Sequence, residues 1–184
     1  MQALLVSAAL VAAAEMGDKT QLLALALAAR FRRPWPILAG ILIATIANHL
    51  LAGVVGTWLA QHIAPEVLQW AVALSFFAFA LWTLRPDTFD ETRDYSGGSV
   101  FITTAFAFFI AEMGDKTQLA TVALAARYQS LGAVVAGTTL GMLLADAPVV
   151  WLGRALVTRL NLTWLRWLAA ALFALLGVVT LVLR

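Results

Sequence analysis

Not one of the 184 residues is a cysteine, so disulfides, thiolate metal sites and thiol catalysis are excluded and nothing marks a redox compartment. Histidine is nearly missing too: His49 and His62 are the only two, which argues against Zn²⁺ or Cu⁺ chemistry. Charge is scarce, at 12% of residues against 62% hydrophobic, far from the make-up of a water-soluble domain. Twelve Lys/Arg exceed ten Asp/Glu by two, too small a surplus for a nucleic-acid partner, and no basic patch stands out. What remains is the composition of an integral membrane protein, with the lipid bilayer as its first partner.

Apolar windows of 18 or more residues, broken by proline or charge clusters, read as membrane helices. Six are present, at about 3–29, 37–59, 67–84, 100–126, 131–152 and 164–183. Tryptophans near the ends of four of them mark the membrane interface. The first window has the Ala-rich end of a signal peptide but no basic start, and the repeat described next needs it as a span. Residues 85–99, RPDTFDETRDYSGGS, form the polar linker. Its acids, Asp87, Asp90, Glu91 and Asp94, fit no EF-hand spacing and read as a solvated connector.

The linker divides a duplication. EMGDKTQLLALALAAR at 15–30 and EMGDKTQLATVALAAR at 112–127 agree at thirteen of sixteen positions with an offset of 97. Residues 1–84 and 100–184 are thus two three-helix repeats of one membrane domain. An odd number of spans per repeat makes the second enter from the opposite side, the inverted-topology plan common in secondary transporters. The expected fold is all-α, six transmembrane helices in two inverted repeats. Outside the motifs, Arg30, Arg32, Arg33, Arg85, Arg93, Arg154, Arg159 and Arg166 fall on one side, and Arg127 and Arg184 on the side of the N-terminus. Positive charge marks the cytoplasm, so the linker is expected inside and both termini outside.

Each motif puts two acids and a lysine near mid-membrane, where an ionised group costs about 2.5–3.5 kcal/mol. They must face protein or a water-filled cavity. On a continuous helix Glu15, Asp18 and Lys19 share one face, and so do Glu112, Asp115 and Lys116; Gly17 and Gly114 allow close approach or local unwinding. Four carboxylates and two ammonium groups sum to −2, the complement of one divalent cation. With Thr20, Thr117, Gln21 and Gln118 they form an all-oxygen, hard-ligand set suited to Ca²⁺, Mg²⁺ or Mn²⁺. Lys19 and Lys116 read as charge partners of the acids, since an ammonium cannot coordinate a metal. The alternative is a pair of i,i+4 bridges, Glu15–Lys19 and Glu112–Lys116, that only hold helices together.

The doubled E-M-G-D-K-T-Q resembles the E-x-G-D-(K/R)-(T/S) signature of a family of cation:proton antiporters that includes Golgi manganese/calcium transporters and bacterial manganese exporters. The resemblance covers the whole chain. It implies export of Mn²⁺ or Ca²⁺ in exchange for protons as substrates, with no permanently bound cofactor and no enzymatic activity. It also implies Glu15, Asp18, Glu112 and Asp115 as cation ligands, and a bacterial member in the cytoplasmic (inner) membrane; a homo-oligomer stays open. Rival readings are a membrane phosphatase, which would need arginines near the acids, and an assembly factor that uses the motif as a staple.

Secondary candidates are Asn48 and His49 in the second span and Asp146 in the fifth, which the offset pairs with His49; they are candidates for a proton path or gate. Met16 and Met113 offer thioethers that would favour Mn²⁺. Gly137 and Gly141 form a GxxxG suited to helix packing, and Pro148 is placed to kink the fifth span.

Overall fold

The computed structural model describes residues 1–85, 98–153 and 161–182. The acidic connector at 86–97, Arg154, Arg159 and Arg184 lie outside the described residues. Among the described residues there are eight α-helices: α1 (Gln2–Glu15), α2 (Lys19–Phe31), α3 (Pro34–His62), α4 (Pro65–Thr83), α5 (Val100–Glu112), α6 (Lys116–Tyr128), α7 (Leu131–Leu152) and α8 (Leu162–Val182). Proline opens α3 and α4, where its missing N–H has no intrahelical partner to lose. α2 and α6 end in left-handed caps at Arg32 and Gln129, whose N–H groups reach Ala28 O and Ala125 O. These four positions are again 97 residues apart, so the duplication extends to the helix ends.

Four helices, α3, α4, α7 and α8, are long and apolar enough to cross a membrane, while α1 and α5 are shorter apolar helices. The outward faces carry exposed Leu, Val and Trp side chains such as Trp70, Leu74, Leu81 and Trp167, as a lipid-facing surface requires. The windows at 3–29 and 100–126 are therefore not single helices. Each is interrupted at the charged motif, between Glu15 and Lys19 and between Glu112 and Lys116. The expected polar stripe on one continuous helix is thus replaced by a break that separates Glu from Asp and Lys.

Glycines set how the halves meet. A Cβ at Gly137 of α7 would stand 2.4 Å from Leu4 O and 2.9 Å from Ser7 Cβ of α1. At the equivalent Gly40 of α3 it would stand 2.9 Å from Phe101 O and 2.7 Å from Thr104 Cβ of α5. Leu4 and Phe101, like Ser7 and Thr104, are also 97 apart, so α7 packs on α1 in the way that α3 packs on α5. Gly141 faces Ala8 and Val11 of α1 as well, which gives the GxxxG a packing role within the chain. Further along, Gln21 of α2 reaches Ala145 of α7, and Gly56 of α3 meets Val122 and Ala125 of α6. α7 thus runs parallel to α1 and α2 in succession, and α3 parallel to α5 and α6. Gly137→Ala should force α1 and α7 apart and destabilise by about 1–3 kcal/mol, seen as a lower melting temperature in detergent. An unchanged melting temperature would rule out the close contact.

Candidate cation site

Both breaks have the same local construction. Met16 (φ −64°, ψ 111°) is followed by Gly17 at φ 85°, and the Asp18 N–H donates to Glu15 O at 3.0 Å. Met113 (φ −65°, ψ 118°) is followed by Gly114 at φ 76°, with Asp115 N–H to Glu112 O at 3.1 Å. These are the features of a type II β-turn, whose third residue needs positive φ and is therefore glycine. Gly17 N–H and Gly114 N–H donate to Gln21 Oε1 (2.9 Å) and Gln118 Oε1 (2.7 Å), so the glutamines satisfy backbone that the break strips of helical partners.

Asp18 and Asp115 are the N-cap residues of α2 and α6, yet neither caps with its side chain. Instead the charges cross between repeats. Lys116 Nζ lies 2.5 Å from Asp18 Oδ1, and Lys19 Nζ 2.8 Å from Asp115 Oδ1. Both lysines thus reach an aspartate of the other repeat, where the i,i+4 alternative would pair each with the glutamate of its own motif. Thr20 and Thr117 donate to Glu15 Oε2 (2.5 Å) and Glu112 Oε2 (3.2 Å).

Of the four acids expected as ligands, Glu15, Glu112 and Asp115 converge: each presents a carboxylate oxygen within 4.8 Å of the others. All three are buried, and among the described residues each retains one buried oxygen with no hydrogen-bond partner, Glu15 Oε1, Glu112 Oε1 and Asp115 Oδ2. A buried acceptor left unpaired costs about 1–3 kcal/mol. Three of them in one place describe a site shaped for something that brings positive charge. At an effective dielectric of about 20, ionised groups 4.8 Å apart repel by about 3–4 kcal/mol per pair, a repulsion that nearby positive charge offsets, as Lys19 does at Asp115. Asp18, the fourth acid, has its Oδ1 against Lys116.

Asn48 and Ala145 occupy equivalent places beside the two breaks. Asn48 Nδ2 donates to Phe109 O (3.0 Å), near the end of α5, and Asn48 Oδ1 accepts from Gln118 Nε2 (3.3 Å). In the other half Gln21 Nε2 donates directly to Ala145 O (3.0 Å). Asp146 and His49 are fully buried on α7 and α3, and among the described residues neither carboxylate oxygen nor either ring nitrogen has a hydrogen-bond partner. Met113 is 54% exposed, which does not suit a ligand to an ion held among buried carboxylates. The carbonyls of Phe109 and Ala145 were not legible as contributors, because backbone acceptors carry no residue signature; the offset alone could have pointed to position 145 through Asn48.

A family described as "Divalent cation/proton antiporter GDT1" matches residues 3–91 and 100–183. A Vibrio cholerae protein named "Putative manganese exporter" is 46% identical over 181 residues, covering 98% of this chain and 90% of that protein. A GDT1-like protein of Synechocystis is 28% identical over 193 residues (93% and 92% covered). GDT1-like protein 5 of Arabidopsis thaliana is 30% identical over 210 residues (91% and 90% covered). No solved structure matches the chain.

Proposed function

Since the chain belongs to the GDT1 divalent cation/proton antiporter family and is a multi-pass membrane transporter, not an enzyme, we propose that it exports Mn²⁺ from a bacterial cytoplasm in exchange for protons. The carrying observation is the convergence of Glu15, Glu112 and Asp115, each with an unused buried oxygen. Thr20, Thr117, Gln21 and Gln118 hold the acids and the turns in place, and Lys19 and Lys116 balance the aspartates across the repeats. The all-oxygen set suits a hard divalent ion. The name of the Vibrio cholerae relative favours Mn²⁺ over Ca²⁺ as cargo.

The exchange follows from the electrostatics. Three carboxylates this close are stable together when they share a divalent cation or when protons neutralise part of their charge. The same oxygens therefore serve both ions at different times, and arrival of one expels the other. Alternating access requires the site to open first to one side and then to the other. The matched contacts of Gly40 and Gly137 support two inverted three-helix repeats, 1–84 and 100–184, as the frame for that motion. In this reading the arginine-rich side faces the cytoplasm of the inner membrane and both termini lie outside.

The test is purified protein in liposomes loaded with a pH-sensitive dye. A Mn²⁺ gradient should drive proton movement in the opposite direction, and Ca²⁺ should compete weakly. Manganese movement without protons would refute exchange, and stronger transport of Ca²⁺ would reassign the cargo.

A further inference from the structure

The two copies of the motif are identical in sequence, but their surroundings are not. Lys116 and Asp18 form a sealed pair, their side chains 4% and 1% exposed. The 97-residue offset makes Lys19–Asp115 the equivalent pair, and there the lysine is 28% exposed. The turns differ in the same sense. Gln21, which holds the first turn, is 2% exposed, whereas Met113 of the second is 54% exposed. Gly114 is exposed as well, and a Cβ placed on it would meet nothing within 4 Å. These openings coincide, because Asp115 both follows Gly114 in the chain and holds Lys19. One crossed pair is therefore closed in and the other borders an opening.

What fills the opening follows from what borders it. α5 and α6 have 13 residues each, about 20 Å apiece, so the turn between them lies near mid-membrane. At that depth irregular backbone survives only against protein or beside water, and an ammonium group is equally excluded from hydrocarbon. Since Gly114 has no protein over it, water must reach the second turn and Lys19. Asp115 stands at the inner edge of that opening with two claims on it. Its Oδ1 takes the Lys19 ammonium at 2.8 Å, and it also belongs to the group in which Glu15, Glu112 and Asp115 bring carboxylate oxygens within 4.8 Å of one another. Asp18, the partner of Lys116, stands outside that group.

We propose that the two lysines have different roles: Lys19 is an exchangeable counter-ion, displaced from Asp115 by a divalent cation that enters past the Met113–Gly114 turn, and Lys116 is a fixed brace. This rests on the reading of Glu15, Glu112 and Asp115 as the cation site. The arriving ion and the ammonium are drawn to one carboxylate, and the bound ion repels the ammonium into the water beside it. The flexible four-carbon stem of lysine permits that swing. When the ion leaves, Lys19 returns, so Asp115 has a counter-charge in both states. Lys116, sealed against Asp18, has no water to swing into.

Two measurements test this on the purified protein, which has no cysteine of its own. In lipid nanodiscs, Met113→Cys should react with a positively charged, water-soluble methanethiosulfonate at least about tenfold faster than Met16→Cys. Equal rates at the two positions would overturn the route, and so would reaction of Met113→Cys only with an apolar, lipid-soluble maleimide. In Mn²⁺ titrations of the melting temperature, Lys19→Gln should reach half of the full shift at about three- to tenfold less Mn²⁺ than wild type, because the competitor for Asp115 is gone. Lys116→Gln should instead melt lower than wild type before any metal is added. A Lys19→Gln variant that needs as much Mn²⁺ as wild type, or more, would overturn the displacement, and one that melts as low as Lys116→Gln would make both lysines braces. Wild-type protein whose melting temperature ignores Mn²⁺ would sink the cation reading and the displacement with it, while the modification rates still decide the route.

Discussion

Asp18→Asn is expected to destabilise the folded protein by about 3–5 kcal/mol, while the equivalent Asp115→Asn costs less than about 1 kcal/mol. The difference follows from where each substitution leaves a lysine. Lys116 is 4% exposed and its ammonium lies 2.5 Å from Asp18, so losing that carboxylate takes the nearest counter-charge from an ammonium in the protein interior. Lys19 is 28% exposed and keeps access to polar surroundings. Asp115 also stands against Glu15 and Glu112, so its neutralisation removes repulsion as well as attraction. Thermal inactivation midpoints in detergent measure both. Exchanging the partners, Asp18→Lys with Lys116→Asp, should recover much of the loss. Equal destabilisation by the two single substitutions would mean that the crossed pairs are energetically alike and the burial difference is immaterial.

The second large effect has opposite signs for stability and activity. Glu15→Gln or Glu112→Gln should reduce Mn²⁺-driven proton flux at least a hundredfold, about 3 kcal/mol, because in the proposed mechanism each deletes a charged ligand and a proton acceptor at once. The same substitutions should raise the melting temperature, since each removes repulsions of about 3–4 kcal/mol per carboxylate pair. That trade between stability and activity is typical of sites held under strain for function. Flux equal to wild type in both variants would remove these glutamates from the ion path. A lowered melting temperature would instead make them structural.

Much of this arrangement is visible in the chain itself, because it depends on composition and repetition. Apolar windows mark the helices, the offset of 97 pairs Gly40 with Gly137 and Thr83 with Thr180, and the rarity of charge singles out the motif. The division of each motif-bearing window is less visible. Glu15, Asp18 and Lys19 have spacing that suits one face of a helix, and a single Met-Gly step between them decides against it. Whether a mid-membrane glycine bends, packs or reverses its chain depends on what surrounds it, here Gln21 and the carbonyl of Ala145. The partner of each lysine is likewise hidden: Glu15 at i−4 and Asp115 in the other repeat satisfy the same charge balance. Only the turn, by ending one helix and beginning the next, selects the distant one.

The crossed ion pairs also bear on how the chain is made. Asp18 meets Lys116, 98 positions later, so the first motif emerges from the ribosome well before the lysine that pairs with its aspartate exists. At about 5–20 residues per second that interval is about 5–20 seconds, during which a broken, charged segment has no settled place in lipid. The first half must wait beside the insertion machinery or in water-accessible surroundings until its twin arrives. Nascent molecules cut short before residue 116 should accordingly be poor substrates for stable integration and good ones for membrane proteases.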